Sequence, residues 1–444
     1  MSSSSATEEE PSKATIVLMG TCDTKWDEMH YTQQQILSQH TPCTVLLMDI
    51  GHSPYYADSS IALKHPELCP PADSRNPNQP PKLSSLPRAD YIRQMTDLAS
   101  TTIRALHRAR RIHAVLGIGG SCGTALATAV MQRALPVGFP KLMVSTMASG
   151  DVTPYVEETD LTLMYSVVDI AGTNRILKRI LANAAAAIAG MAGSYFHSSR
   201  GTDSDGSSSS TRDAGHPRIG ITMFGVTTPA VDAVRARLQQ RLAGACEIYV
   251  FHATGAGGKA MERLVRERQL DAVVDLTTTE IADELVGGVL SAGPERLGAA
   301  AAAGIPAVIS VGACDMVNFG ARGSLPERFG KGRVVHEHNP TVTLVRTTPD
   351  ECRRIARFMA EKLRGCATRP DRVRVVLPTE GISMLNTAGQ PFYDPEADEA
   401  LFSTLEKELA GSGITILRQA KEINDPEFAD FVADSLVDLM RKTG

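Results

Sequence analysis

The sequence predicts an α/β protein made of two Rossmann-like, doubly wound lobes with mostly parallel sheets. Three observations carry this. Short apolar runs end in Gly, Thr, Ser or Asp; amphipathic helical stretches separate them; and the rhythm stops at a polar Ser/Gly/Asp-rich segment and restarts after it.

Residues 1–13 read as a disordered polar arm, so the first lobe spans 14–196. Its strands are expected at 15–20 (TIVLMG), 45–49, 114–119, 142–145 and 161–165, with helices at 25–38, 89–111, 123–135 and 173–191. Residues 66–87 hold too much proline to continue either element and read as a surface loop placed to lid the first lobe. Residues 197–216 (HSSRGTDSDGSSSSTRDAGH) lack the apolar content to offset ordering and read as a flexible linker. The second lobe, 217–444, shows strands at 219–224, 248–252, 272–276, 307–311 and 374–378. Both lobes open alike, on strand, Gly, Thr-bearing turn and helix (VLMGTCDTKWDEM and ITMFGVTTPAVDAV).

Composition narrows the function classes. The 444 residues, 43% of them hydrophobic, supply cores for two domains. Aromatics at 5% and a net charge of −5 argue against a nucleic-acid partner. No run approaches the roughly 18 uninterrupted apolar residues of a membrane span, and residues 181–191 are too short to cross. The N-terminus is not a secretory signal, and eight cysteines without a C-x-x-C pair read as reduced thiols, so a cytoplasmic location is expected.

Ligands of doubly wound sheets sit beyond the carboxyl ends of the strands, and the loops there are rich in Gly, Thr, Ser and Asp. Residues 20–25 (GTCDTK) open a helix whose free amides suit an anion, with Asp23 equally an ordinary N-cap. Residues 117–124 (GIGGSCGT) set Gly119, Gly120, Ser121, Cys122, Gly123 and Thr124 on a strand-to-helix turn, either an amide nest for phosphate or a tight turn for packing. The dinucleotide fingerprint fails at Cys122. The same residues fit G-x-S-x-G with Ser121 as nucleophile, which would need a base such as His336 or His338. Gly150 and Asp151 (MASGD) offer a carboxylate for a metal or a ribose hydroxyl, or merely finish a turn. Asn174 and Arg175 start a helix, and Arg88 and Arg93 flank another.

In the second lobe, residues 252–259 (HATGAGGK) are no Walker loop, yet Gly257, Gly258 and Lys259 can form an amide nest with a point charge. Thr277, Thr278 and Thr279 give three hydroxyls after a strand, and Asp315 follows Cys314, which is either a nucleophile or a small buried thiol. His336 and His338 share one face only in a strand, and nothing beside them completes a metal site.

These loops, in this order, resemble the family of the tomato mosaic virus resistance protein: GTCDTK, GIGGSCGT, MASGDVTPY, YSVVDIAGTNRIL, FHATGAGGKAMERL and GACDMVNFG, over about residues 14 to 440. The resemblance implies two Rossmann-like subdomains, self-association as a homodimer or higher oligomer, and ATP binding, for which Mg2+ would bridge the phosphates and an aspartate. By position it places Gly119–Thr124 on the nucleotide, Arg88 (RADYIRQM) on phosphate, and Asp49, Gly51 and His52 on a further contact segment. Three functions follow: an ATP-binding protein with an unknown reaction; a hydrolase or lyase on a small carboxylate or phosphate metabolite using Ser121 or Cys314 with His336 or His338; or a module without turnover.

Overall fold

The computed structural model describes residues 12–56, 58–68, 82–200, 216–330 and 332–442. They divide into two compact units, Met1–Asp213 and Ala214–Gly444.

The first unit runs β1 (Ala14–Gly20), α1 (Cys22–Leu37), β2 (Cys43–Asp49), α2 (Arg88–Arg108), β3 (Ala114–Gly119), α3 (Ser121–Ala134), β4 (Lys141–Ser145), α4 (Thr153–Val156), β5 (Thr162–Tyr165) and α5 (Arg175–Arg200). The strands lie in the order β2-β1-β3-β4-β5, every neighbouring pair parallel. Alternate residues face opposite layers. Ile16, Leu18, Leu116, Ile118 and Val144 pack toward α1 and α5, whereas Val17, Met19, Val115 and Met143 pack toward α2 and α3. The register sets Gly20 beside Asp49 and Ile118, and Gly119 beside Ser145, so the carboxyl ends finish level.

Four expectations differ from the structure or fall partly outside the described residues. The arm read over 1–13 lies outside the described residues except for Ser12 and Lys13, and so do 69–81 of the Pro-rich loop, whose flanks form single 3-10 turns at Pro66–Leu68 and Leu83–Ser85. Residues 197–200, expected within the linker, are instead the last turn of α5, where Phe196 is buried edge-on against His113, and 201–215 of that segment lie outside the described residues. At 26 residues α5 is long and apolar enough to span a membrane, contrary to the short run expected, but Leu177, Leu181, Ala184, Ile188 and Ala192 are buried on the sheet.

The second unit runs β6 (Arg218–Met223), α6 (Thr228–Arg241), β7 (Glu247–His252), α7 (Ala256–Arg266), β8 (Ala272–Thr277), α8 (Thr279–Val286), α9 (Ala299–Ala303), β9 (Ala307–Gly312), β10 (Met316–Phe319), β11 (Val335–Asn339), β12 (Val342–Arg346), α10 (Pro349–Cys366), β13 (Val373–Pro378), α11 (Pro395–Leu409), β14 (Thr415–Gln419) and α12 (Pro426–Arg441). Its parallel sheet has the order β14-β13-β9-β8-β6-β7, and β10, β12 and β11 form a separate antiparallel sheet inserted after β9. Counted from its own first strand, the large sheet repeats the winding of the first unit: second strand, first, third, fourth, fifth, then one more. The shared opening pattern of the two lobes thus extends to a shared topology.

One buried cluster organises the carboxyl ends of β6, β7 and β8. Arg296 is 1% exposed and binds Asp275 through both terminal nitrogens (2.5 and 2.6 Å), Glu280 through Nε (2.7 Å) and Glu262 (3.3 Å). Glu280 Oε1 also accepts the Gly255 and Gly258 amides (2.7 and 3.0 Å), and Glu262 accepts those of Leu297 and Ala299 (2.6 and 2.7 Å). Burial raises the Glu262 and Glu280 carboxyls, against the pull of Arg296. On α8, Asp283 Oδ1 accepts the Asn318 backbone amide (2.8 Å) and Oδ2 accepts that of Leu290 (2.8 Å), and burial pushes its carboxyl up to about 7.

Two outcomes follow. Glu280→Ala strands Arg296 Nε and two glycine amides, and denaturant unfolding should show a loss of about 3–5 kcal/mol. For Asp283, the folded pKa lies above the unfolded value near 3.9, so the native state holds the extra proton and stability falls as pH rises from about 4 to about 7. Asp283→Asn should flatten that slope, read by thermal melts across the same pH range.

Candidate functional site

The carboxyl ends of β1 and β3 flank the point where the first sheet reverses its winding, which is where this topology leaves a crevice. A pocket of about 660 Å³ occupies it. One wall is Thr21, Asp23, Thr24 and Lys25 after β1; a second is Gly120, Ser121, Cys122 and Gly123 at the start of α3; His52 comes from the loop after β2, and Leu86, Arg88 and Tyr91 from the approach to α2. That volume suits a nucleotide-sized ligand.

The glycine loop owes its residues to two causes. A Cβ on Gly119 would lie 2.8 Å from Gly123 Cα, so this glycine lets α3 pack on β3. Gly120 has space: its nearest neighbour would be Thr146 Oγ1 at 3.8 Å, so the missing side chain opens the pocket. Gly120 is the N-cap of α3 and no side chain caps the helix; the amides of Ser121, Cys122 and Gly123 find no acceptor among the described residues. An uncapped first turn presents N–H donors and the positive end of the helix dipole to an anion. Cys122 does not impair this, since the backbone supplies the donors. Lys25, where α1 leaves helical geometry (φ −131, ψ 26), and Arg88 are in no ion pair among the described residues. Arg93 instead pairs with Asp90 at 2.5 Å on the surface.

The structure reassigns several expected contacts of the first unit. Thr124 is fully buried, with Oγ1 2.6 Å from Ser145 Oγ, and ties α3 to β4 rather than facing the pocket. Asp49 is 1% exposed; it accepts the amides of Cys22 (3.1 Å), Gly51 (2.9 Å) and Tyr55 (3.2 Å) and so braces the loops. Gly51 lies beneath the site, where a Cβ would come within 2.6 Å of Asp23 Oδ1. His52 does line the pocket, edge-on to Tyr91. Gly150 and Asp151 follow β4 and do not line it; Asp151 accepts the Thr153 amide at 3.0 Å in a local turn. Asn174 caps α5, accepting the amides of Ile176 and Leu177 at 3.0 Å.

In the second unit the expected amide nest exists but holds the chain's own carboxylate: Gly255 and Gly258 bind Glu280, while a Cβ on Gly257 would overlap His252 O at 1.9 Å. Lys259 follows these glycines in α7. Thr277, Thr278 and Thr279 are fully buried and bond to Thr227, to Ser310 with Cys314, and to Asn318. Asp315 is buried against Ser383 (2.8 Å). Cys314 is fully enclosed and burial drives its thiol far up, which leaves it protonated and unsuited to nucleophilic attack. His336 lies on β11, half-buried, its ring edge toward Phe392. His336 pairs in register with Leu344, but the ladder is irregular at His338, so the alternation that would put the two on one strand face is broken there, and no cluster of three or more metal-ligating side chains occurs among the described residues. Ser121 is exposed on a strand-to-helix turn, but no hydrogen bond joins it to a histidine among the described residues.

The loop 20–25, expected to face an anion, does line the pocket through Thr21, Asp23, Thr24 and Lys25, with Thr21 and not Asp23 at the N-cap; Tyr91 carried no such signal. GTCDTK meets GIGGSCGT there because the strands that feed the two loops are neighbours.

Comparison with known proteins agrees with the two-unit division. Residues 14–197 match the N-terminal domain, and residues 216–440 the C-terminal domain, of the uncharacterised protein family UPF0261. A UPF0261 protein of Clostridium tetani is 38% identical over 433 residues, 96% of this chain and 99% of the relative. One from Mesorhizobium japonicum is 45% identical over 331 residues, 74% of this chain and 77% of the relative. The tomato ToMV resistance protein Tm-1(GCR237) is 37% identical over 441 residues, 96% of this chain and 56% of the tomato protein. With both domain models matched in order along nearly all of its length, the chain belongs to the UPF0261 family.

Proposed function

We propose that the first unit binds a nucleoside polyphosphate, ATP with Mg2+, in the crevice between the ends of β1 and β3. The observation that carries this is the conjunction, in one pocket of about 660 Å³, of three acceptor-less α3 amides with Lys25 and Arg88. A triphosphate supplies what each lacks. Its oxygens accept from the Ser121–Gly123 amides, and the two cations offset its charge. His52 and Tyr91 wall the far side. The resemblance noted in the sequence implies the same ligand and extends the proposal to self-association, and the seven free cysteines among the described residues fit a reducing, cytoplasmic setting.

Binding is expected to raise the melting temperature in millimolar ATP–Mg, and calorimetry should give one site per chain. Arg88→Ala should weaken ATP about 10- to 100-fold, the scale of a lost charge-assisted hydrogen bond. Gly120→Val tests the loop more sharply. Its φ of −77° suits any residue and its surroundings are open, so the variant should fold with near-native stability and lose ATP. Native affinity in Gly120→Val, or no stabilisation of the parent by any nucleoside polyphosphate, would sink the reading.

A further inference from the structure

No further inference is drawn: the strongest candidate, the cleft of about 740 Å³ at the carboxyl ends of β13 and β14 beside α11, lined by Glu380, Asp398, Glu399 and Glu422, is a cluster of acidic side chains of which Asp398 and Glu399 are already paired with Arg346 and Arg418, and nothing in the structure shows what fills it.

Discussion

A parallel sheet that reverses its winding must leave two neighbouring strand ends with no loop joining them, and the helices that follow point their free amides into the gap. What such a gap can hold depends on how those amides are satisfied. Both units wind their first five strands in the same order, so both face the same requirement. They meet it differently. In the second unit Glu280 reaches across from α8, takes the glycine amides and is held by Arg296. In the first unit no side chain among the described residues plays that part, and the gap stays open as a pocket.

The difference explains why glycine-rich loops of similar appearance are not equivalent. At Gly257 and Gly258 a side chain would strike His252 O or Glu280, so the glycines serve packing around an internal ion pair. At Gly120 nothing stands in the way. Two glycine loops after two parallel strands thus perform opposite tasks, and only the three-dimensional neighbourhood separates them.

Much of the architecture was legible because it is periodic. All ten expected strands appear within a residue or two, since each is an apolar run closed by a turn residue. The antiparallel insert β10–β12 was not, because its strands are four or five residues long and mix His, Glu, Asn and Thr with apolar positions. The pocket was half legible. Gly120, Ser121, Cys122, Gly123, His52 and Arg88 line it. Asp49, Thr124, Asn174 and the three threonines after β8 look alike in sequence, but their polar atoms are consumed by local caps and cross-strand bonds. A polar residue beyond a strand end is as often a brace as a contact, and only a count of its partners tells which.

The carboxylate of Glu280 has one further consequence. It is an anion that cannot dissociate, so the glycine amides of the second unit are satisfied within the chain, whereas on the proposed reading those of α3 are satisfied only when a ligand fills the crevice. Were that small molecule to become scarce, the halves would part company: the first would open more often and become the preferred entry point for proteases while the second remained folded. The abundance of the whole chain would then track the concentration of its ligand, without any change in its synthesis.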